Sequence, residues 1–312
     1  MFTSGVGKTQ LLLTLLLSAQ LPAPHGLGRS TLYLSTEAPL ATSRLTQILS
    51  AHPLLLAQAV PPSLSRVLGI QTPDLESQEH IITYQVPIAL ERENVGLIII
   101  DSIAANFRAE RSVSNVAAAL AERSSQLARL GAQLRDLARI HNCAIVVANQ
   151  VSDRFAPVSL MPPSSTARSL GSSSPHHPTS SLPRHQLQSH NPINFDQQLR
   201  FFSGWGSDPA SGAQNLKSPS LGLVWANQVA CRIVLIKEAW HDGPATAVTC
   251  GHGPAPGSAD WSSRSWRRWM KVAFGAWVEA TADAERGVEF CVWTGGIKAI
   301  DPRNSQVPEG VL

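Results

Sequence analysis

Gly5-Val6-Gly7-Lys8-Thr9 is the greater part of the pattern G-x-x-x-x-G-K-[ST]. In that pattern the backbone N–H groups of a glycine-rich loop surround phosphate oxygens, the lysine neutralises the outer ones, and the final hydroxyl ligates magnesium. Two carboxylates further along are placed to complete such a site. Asp101 ends the apolar run Leu97-Ile98-Ile99-Ile100, and an acid at the carboxyl end of a central strand can hold Mg²⁺, usually through water. Glu37, in YLSTEA, follows the β-prone run Thr31-Leu32-Tyr33-Leu34. A carboxylate there can polarise the water that attacks a γ-phosphate. Taken alone, Asp101 also reads as a strand-end turn residue and Glu37 as a helix-capping acid before Pro39. In this order, at adjacent strand ends, loop and acids together fit one ATP–magnesium site.

The elements that must carry these residues are legible in the flanking patterns. Lys8, the apolar run over residues 11–17 broken only by Thr14, and the exit Ser18-Ala19-Gln20 also have the shape of a secretory leader. A leader accounts for nothing after Gln20, whereas the nucleotide reading accounts for Glu37, Asp101 and the apolar run at residues 144–148. The run after Lys8 is therefore expected to be the first buried helix of an α/β domain, closed by Pro22 and Pro24, with phosphates at its positive N-terminus. Residues 41–51 suit a helix with Leu45, Ile48 and Leu49 inward. The run at 97–100 suits a parallel strand buried on both faces. Leu127, Leu130, Leu134, Leu137 and Ile140 recur at helical spacing, predicting an amphipathic helix over 115–140, and residues 143–148 predict another buried strand. Strands alternating with helices specify a parallel sheet.

The chain of 312 residues allows one or two domains, and its 43% hydrophobic content suffices for a sizeable core. A net charge of +3 and a pI near 8.8 permit an anionic partner without demanding one. Cys143, Cys231, Cys250 and Cys291 lie far apart, which predicts neither a disulfide framework nor a zinc site. No second apolar run has the length of a membrane span, so the chain is expected to be soluble and intracellular. Residues 155–219 are rich in Ser, Pro and His and too poor in apolar residues for a core, predicting a disordered insertion. Its histidines, His176, His177, His185 and His190, read as solvated loop residues. Order is expected to return over 220–300, interrupted by a loop at 241–263, with Thr294-Gly295-Gly296 turning between two short strands. That gives a single sheet domain with two excursions, and no internal repeat is visible.

SGVGKTQLLLTLLLSAQLP, YLSTEAPLATSRL, LIIIDSIAANFR and AIVVANQV resemble the ATPase core of the RecA-type DNA recombinases of eukaryotes. Within that group, STEAPLATSRLTQIL and LGLVWANQVACRIVLI are most similar to the recombinase paralogues, and among them to the fungal mediator paralogue that helps load the main recombinase. The resemblance spans residues 4–151 and resumes over 221–300. It implies an α/β fold: a RecA-like P-loop ATPase core with a mostly parallel central sheet flanked by helices. It divides the chain into a core at 1–154, the insertion at 155–219, C-terminal strands at 220–300 completing the core, and a tail at 301–312. ATP and Mg²⁺ are the implied cofactors. Ser4, Gly5, Val6, Gly7, Lys8, Thr9 and Gln10 would form the phosphate site, and Thr9 and Asp101 would hold the metal. Lys8 and Glu37 would be catalytic, with Asn149 and Gln150 sensing the γ-phosphate where the last core strand exits towards a DNA-binding loop. ANQV recurs at residues 226–229 and is weak evidence alone. The implied partners are single-stranded DNA, a second recombinase paralogue forming a heterodimer, and the main recombinase. The implied location is the nucleus, and no membrane is involved.

DNA contact would come from Arg154, Arg168, Arg184 and Arg200 tracking phosphates, or from RSWRRWMK, where basic and aromatic residues interleave. For the second stretch, packed tryptophans with snorkelling arginines are the preferred reading. The chain departs from the family pattern at its start. The loop's first glycine falls at Phe2, and the N-terminal strand that feeds such a loop, with the N-terminal domain, is missing. The expectation is a longer natural protein whose upstream exon supplies strand and glycine, the alternative a truncated form with impaired nucleotide binding. Two other functions compete: a RecA-fold scaffold acting only through protein partners, and an unrelated P-loop kinase, which would need an arginine-bearing lid.

Overall fold

The apolar run ending at Asp101 is the middle of a sheet. In the computed structural model, which describes residues 5–109, 116–153, 217–240, 265–281 and 287–300, the first half of the chain runs α1 (Lys8–Ser18), β1 (Ser30–Ser35), α2 (Thr42–Ala51), α3 (Pro53–Leu56), β2 (Val67–Gln71), α4 (Leu75–His80), α5 (Val86–Arg92), β3 (Val95–Asp101), α6 (Ile103–Ala109), α7 (Val116–Ile140) and β4 (Ala144–Val147). The four strands pair in parallel in the order β2-β1-β3-β4. The chain has the α/β fold of a RecA-like domain. β3 is buried along its whole length up to Asp101, as a central parallel strand must be.

Strand alternation divides the core between the two faces of the sheet. Leu32, Leu34, Ile98 and Ile100 pack with Ile82, Val86, Leu127, Leu130 and Leu134. Tyr33, Leu97 and Ile99 pack on the other face with Leu12, Leu13, Leu16 and Leu17 of α1 and with Leu45 and Ile48 of α2. Each such side chain taken from water stabilises by roughly 1.5–3 kcal/mol, so burial in these two layers is the main force placing α1 beneath the strand ends. The leader-like leucines of α1 are thus core residues. Ile140 departs from the helical expectation at 64% exposure, because α7 ends there and Asn142, at φ 48°, turns the chain into β4. Between α4 and α5 lies one π-helical turn (Ile81–Gln85), ahead of Pro87. A proline inside a helix has no N–H to give and crowds the preceding turn, which accounts for the widening.

β4 was expected to be buried, yet Ile145, Val146 and Val147 are only half-buried, since β4 is an edge strand of this sheet. The later strands also depart from the single-sheet expectation. β5 (Val151–Asp153) pairs antiparallel with β6 (Lys217–Pro219), and α8 (Gly222–Ala226) follows. β7 (Cys231–Trp240), β8 (Ser265–Gly275), β9 (Val288–Trp293) and β10 (Gly296–Ala299) then form a separate antiparallel sheet in the order β10-β9-β8-β7. Thr294 and Gly295 make the predicted turn, with Gly296 at φ 102°. Cys143 and Cys231 are free thiols, as expected, whereas Cys291 is disulfide-bonded. The histidine-rich stretch and Arg154, Arg168, Arg184 and Arg200 lie outside the described residues. Among the described residues no helix is long and apolar enough to cross a membrane.

Replacing Ile98, which is fully buried, by alanine is expected to cost about 3 kcal/mol, against less than about 0.5 kcal/mol for the same change at exposed Ile140. Urea denaturation of both variants measures the difference.

Candidate functional site

The loop meets α1 through a conformation that only glycine adopts readily. Gly7 precedes the helix at φ 107°, and Gly5 has φ 80°. A methyl group on Gly7 would stand 3.3 Å from Phe290 and 3.4 Å from Val292, so the second sheet closes one side of the turn. Val6 tucks its side chain inward. The Gly5 carbonyl accepts from Nε and Nη2 of Arg268 on β8, at 3.3 Å each. The loop's N–H groups and the positive end of α1 are the features that favour a phosphate.

Lys8 and Thr9 open α1, beside the carboxyl ends of β1 and β3. The Lys8 ammonium is half-buried; burial lowers its pKa, while the charges of Asp101 and then Glu37 push back. The three residues named from sequence therefore share one electrostatic environment, although Glu37 is 113 positions from its partner Gln150 and Thr9 is 92 from Asp101. Thr9 Oγ1 donates to Asp101 Oδ2 at 2.9 Å. A hydroxyl that gives its proton to a carboxylate keeps its lone pairs for a cation, so the pair suits a hard ion such as Mg²⁺. Among the described residues no three His, Cys, Asp or Glu side chains form a metal cage. Magnesium needs none, as it usually takes one or two protein oxygens together with substrate phosphates.

A second network reaches the end of β4. Gln150 Nε2 donates to Glu37 Oε1 at 3.1 Å and to Ser102 Oγ at 3.0 Å. The Ser102 backbone is locked in turn by Thr36, whose Oγ1 donates to Ser102 O at 2.9 Å and accepts from Ser102 N at 3.0 Å. Gln150 thus joins the glutamate, whereas Asn149 Oδ1 is buried with no hydrogen-bond partner among the described residues. Gln10 is held by Arg44, whose Nε donates to Gln10 Oε1 at 2.8 Å, so it faces α2. Ser4 lies outside the described residues.

Several participants escaped the sequence reading. Arg44 also donates to the carbonyls of Trp293 (2.5 Å) and Thr294 (2.7 Å), fastening the β9–β10 turn to the start of α1. Tyr33 donates to Asp101 Oδ2 at 2.9 Å; its place as the one aromatic residue of β1 was the available signal. On β8 the two sides behave differently. Trp269 is buried beneath the Arg267 guanidinium, which is paired with Glu289, in line with the packed reading. Trp266 is 44% exposed, with Lys237 Nζ 4.2 Å from its ring centre.

The sequence model of the Rad51 family matches residues 3–182, which takes in the loop, both acids and Gln150. This chain belongs to the Rad51 family. It is 39% identical over 253 residues to the DNA repair protein rhp57 of Schizosaccharomyces pombe, covering 75% of this chain and 61% of that protein. It is 39% identical over 154 residues to the DNA repair protein RAD57 of Saccharomyces cerevisiae, covering 48% of this chain and 33% of that one. With the cattle (Bos taurus) DNA repair protein XRCC3 it shares 34% over 250 residues, covering 78% of this chain and 58% of the other. The chain thus spans at most about three fifths of the length of these Rad51-family relatives. The matches agree with a recombinase paralogue.

Gly7→Ala should destabilise the protein by about 1–3 kcal/mol even without nucleotide, through its φ of 107° and its closeness to Phe290. The midpoint of thermal unfolding reads this directly.

Proposed function

We propose that this chain is an ATP-binding factor of homologous recombination. It would assist assembly of a recombinase filament on single-stranded DNA, in the nucleus, together with a second paralogue and the main recombinase, and would hydrolyse ATP slowly in a DNA-dependent way. The observation that carries the reading is the junction of Thr9 with Asp101 beside a half-buried Lys8 that feels both Asp101 and Glu37. The names of the relatives, all DNA repair proteins, support the biological setting.

Each side chain has a task in this reading. Lys8 and the loop N–H groups hold the outer phosphate oxygens. Thr9 and Asp101 offer oxygens to Mg²⁺, which supplies Lewis-acid neutralisation of the phosphates when bound. Glu37 orients and polarises the attacking water. Gln150 ties Glu37 to Ser102 immediately before β5, and β5 with β6 brackets residues 154–216. DNA held by that intervening segment would alter the glutamate through Gln150, which is how hydrolysis becomes DNA-dependent.

Fluorescent-nucleotide binding and phosphate release, each with and without single-stranded DNA, test the proposal. Lys8→Ala should weaken Mg²⁺–nucleotide binding about 100-fold, as loss of charge-assisted bonds worth roughly 3 kcal/mol requires. Glu37→Gln should leave affinity within about three-fold while cutting hydrolysis 100-fold or more. Full repair in cells carrying Lys8→Ala would favour a scaffold acting only through protein partners.

A further inference from the structure

Asp101 carries two hydrogen bonds on one oxygen. Thr9 and Tyr33 both donate to Oδ2, each at 2.9 Å. Among the described residues Oδ1 accepts none. The two donors differ in kind. Thr9 sits at the exposed start of α1, and its hydroxyl rotates freely about one bond. Tyr33 is 5% exposed, its ring packed among the leucines of α1 and Ile99. A phenol hydroxyl lies in the plane of its ring, so a ring held by the core fixes where the proton points.

The strand register explains the reach. Tyr33 pairs with Ile99, and Ser35 pairs with Asp101. Side chains two apart share a face, so Tyr33 lies on the face from which Asp101 projects and its hydroxyl extends along β3 to the carboxylate. A phenylalanine would serve the core equally well, whereas a hydroxyl buried here needs a partner.

We propose that Tyr33 is the positioning residue of the metal-side acid: its hydroxyl pins Asp101 Oδ2, so that Oδ1 stays turned towards the cation position beside Thr9. The proposal rests on the ATP–magnesium reading above. Burial first, then the charge of Asp101 and the hydrogen bond to it, push the phenol pKa above the ordinary tyrosine range.

Tyr33→Phe keeps the ring and deletes the donor. Titrating Mg²⁺ against a fixed fluorescent ATP analogue, the variant should need about ten-fold more metal for half-saturation, while affinity for the analogue in EDTA is unchanged. Leu16→Ala serves as the comparison: it loosens the same core layer and should lower the urea midpoint without moving the Mg²⁺ requirement. An unchanged Mg²⁺ requirement in Tyr33→Phe, with the unsubstituted protein binding normally, overturns the positioning role alone. No Mg²⁺-dependent binding by the unsubstituted protein overturns the ATP reading and the role together. A second measurement needs no nucleotide. A metal-free crystal structure of Tyr33→Phe should show the Asp101 carboxylate in more than one orientation, whereas a carboxylate that keeps its single orientation there would rule out the pinning.

Discussion

One carboxylate in the right orientation is the constraint on which this site turns. Asp101 stands where β3 leaves the core, and its Oδ2 accepts hydrogen bonds from α1 and from β1. Without those donors a lone acid at a strand end would be free to choose among rotamers, and the hydroxyl of Thr9 would face nothing. With them, helix start, neighbouring strand and central strand are fixed to one another by polar bonds at the point where the hydrophobic layers end. Burial brings the elements together, and the bonds to Asp101 set their final alignment. Lys8 is held in the same small volume, its ammonium desolvated and compensated by two acids. Such a cluster of opposed charges is poorly satisfied by itself and well suited to an anion that brings its own divalent cation.

The second sheet is part of that arrangement. Phe290 and Val292 stand against Gly7, Arg268 holds the Gly5 carbonyl, and Arg44 links α1 to the β9–β10 turn. The loop is thus gripped from the C-terminal strands as well as carried by α1. From the other side Gln150 links Glu37 to the strand that precedes residues 154–216.

Much of the parallel sheet was legible because its signals are local. β3 announces itself as an unbroken apolar run closed by an acid, and α7 by leucines at helical spacing. The order of loop, Glu37 and Asp101 along the chain anticipates three groups close enough for Lys8 to feel both acids. Other features depend on pairings that no local pattern reports. β2, with Gly69 in the middle of VLGIQ, has too short and mixed a pattern to stand out. Whether β7–β10 join the parallel sheet or pair among themselves is a matter of long-range register, which alternation alone does not specify. Tyr33 looked like one more β-prone core residue; its polar role appears only when register brings it beside Asp101. Arg44 and Arg268 act on backbone carbonyls, and a carbonyl has no sequence signature.

The place where a divalent cation binds decides most directly what Asp101 does. Diffraction from crystals grown with Mn²⁺ and a non-hydrolysable ATP analogue, recorded with manganese anomalous scattering, would locate it. The expected result is one peak at roughly 2.1–2.2 Å from Thr9 Oγ1, with Asp101 facing it, Lys8 on the terminal phosphate and Glu37 beside the same phosphate. A manganese peak away from Thr9 and Asp101, or a nucleotide that leaves Lys8 without a phosphate contact, would contradict it.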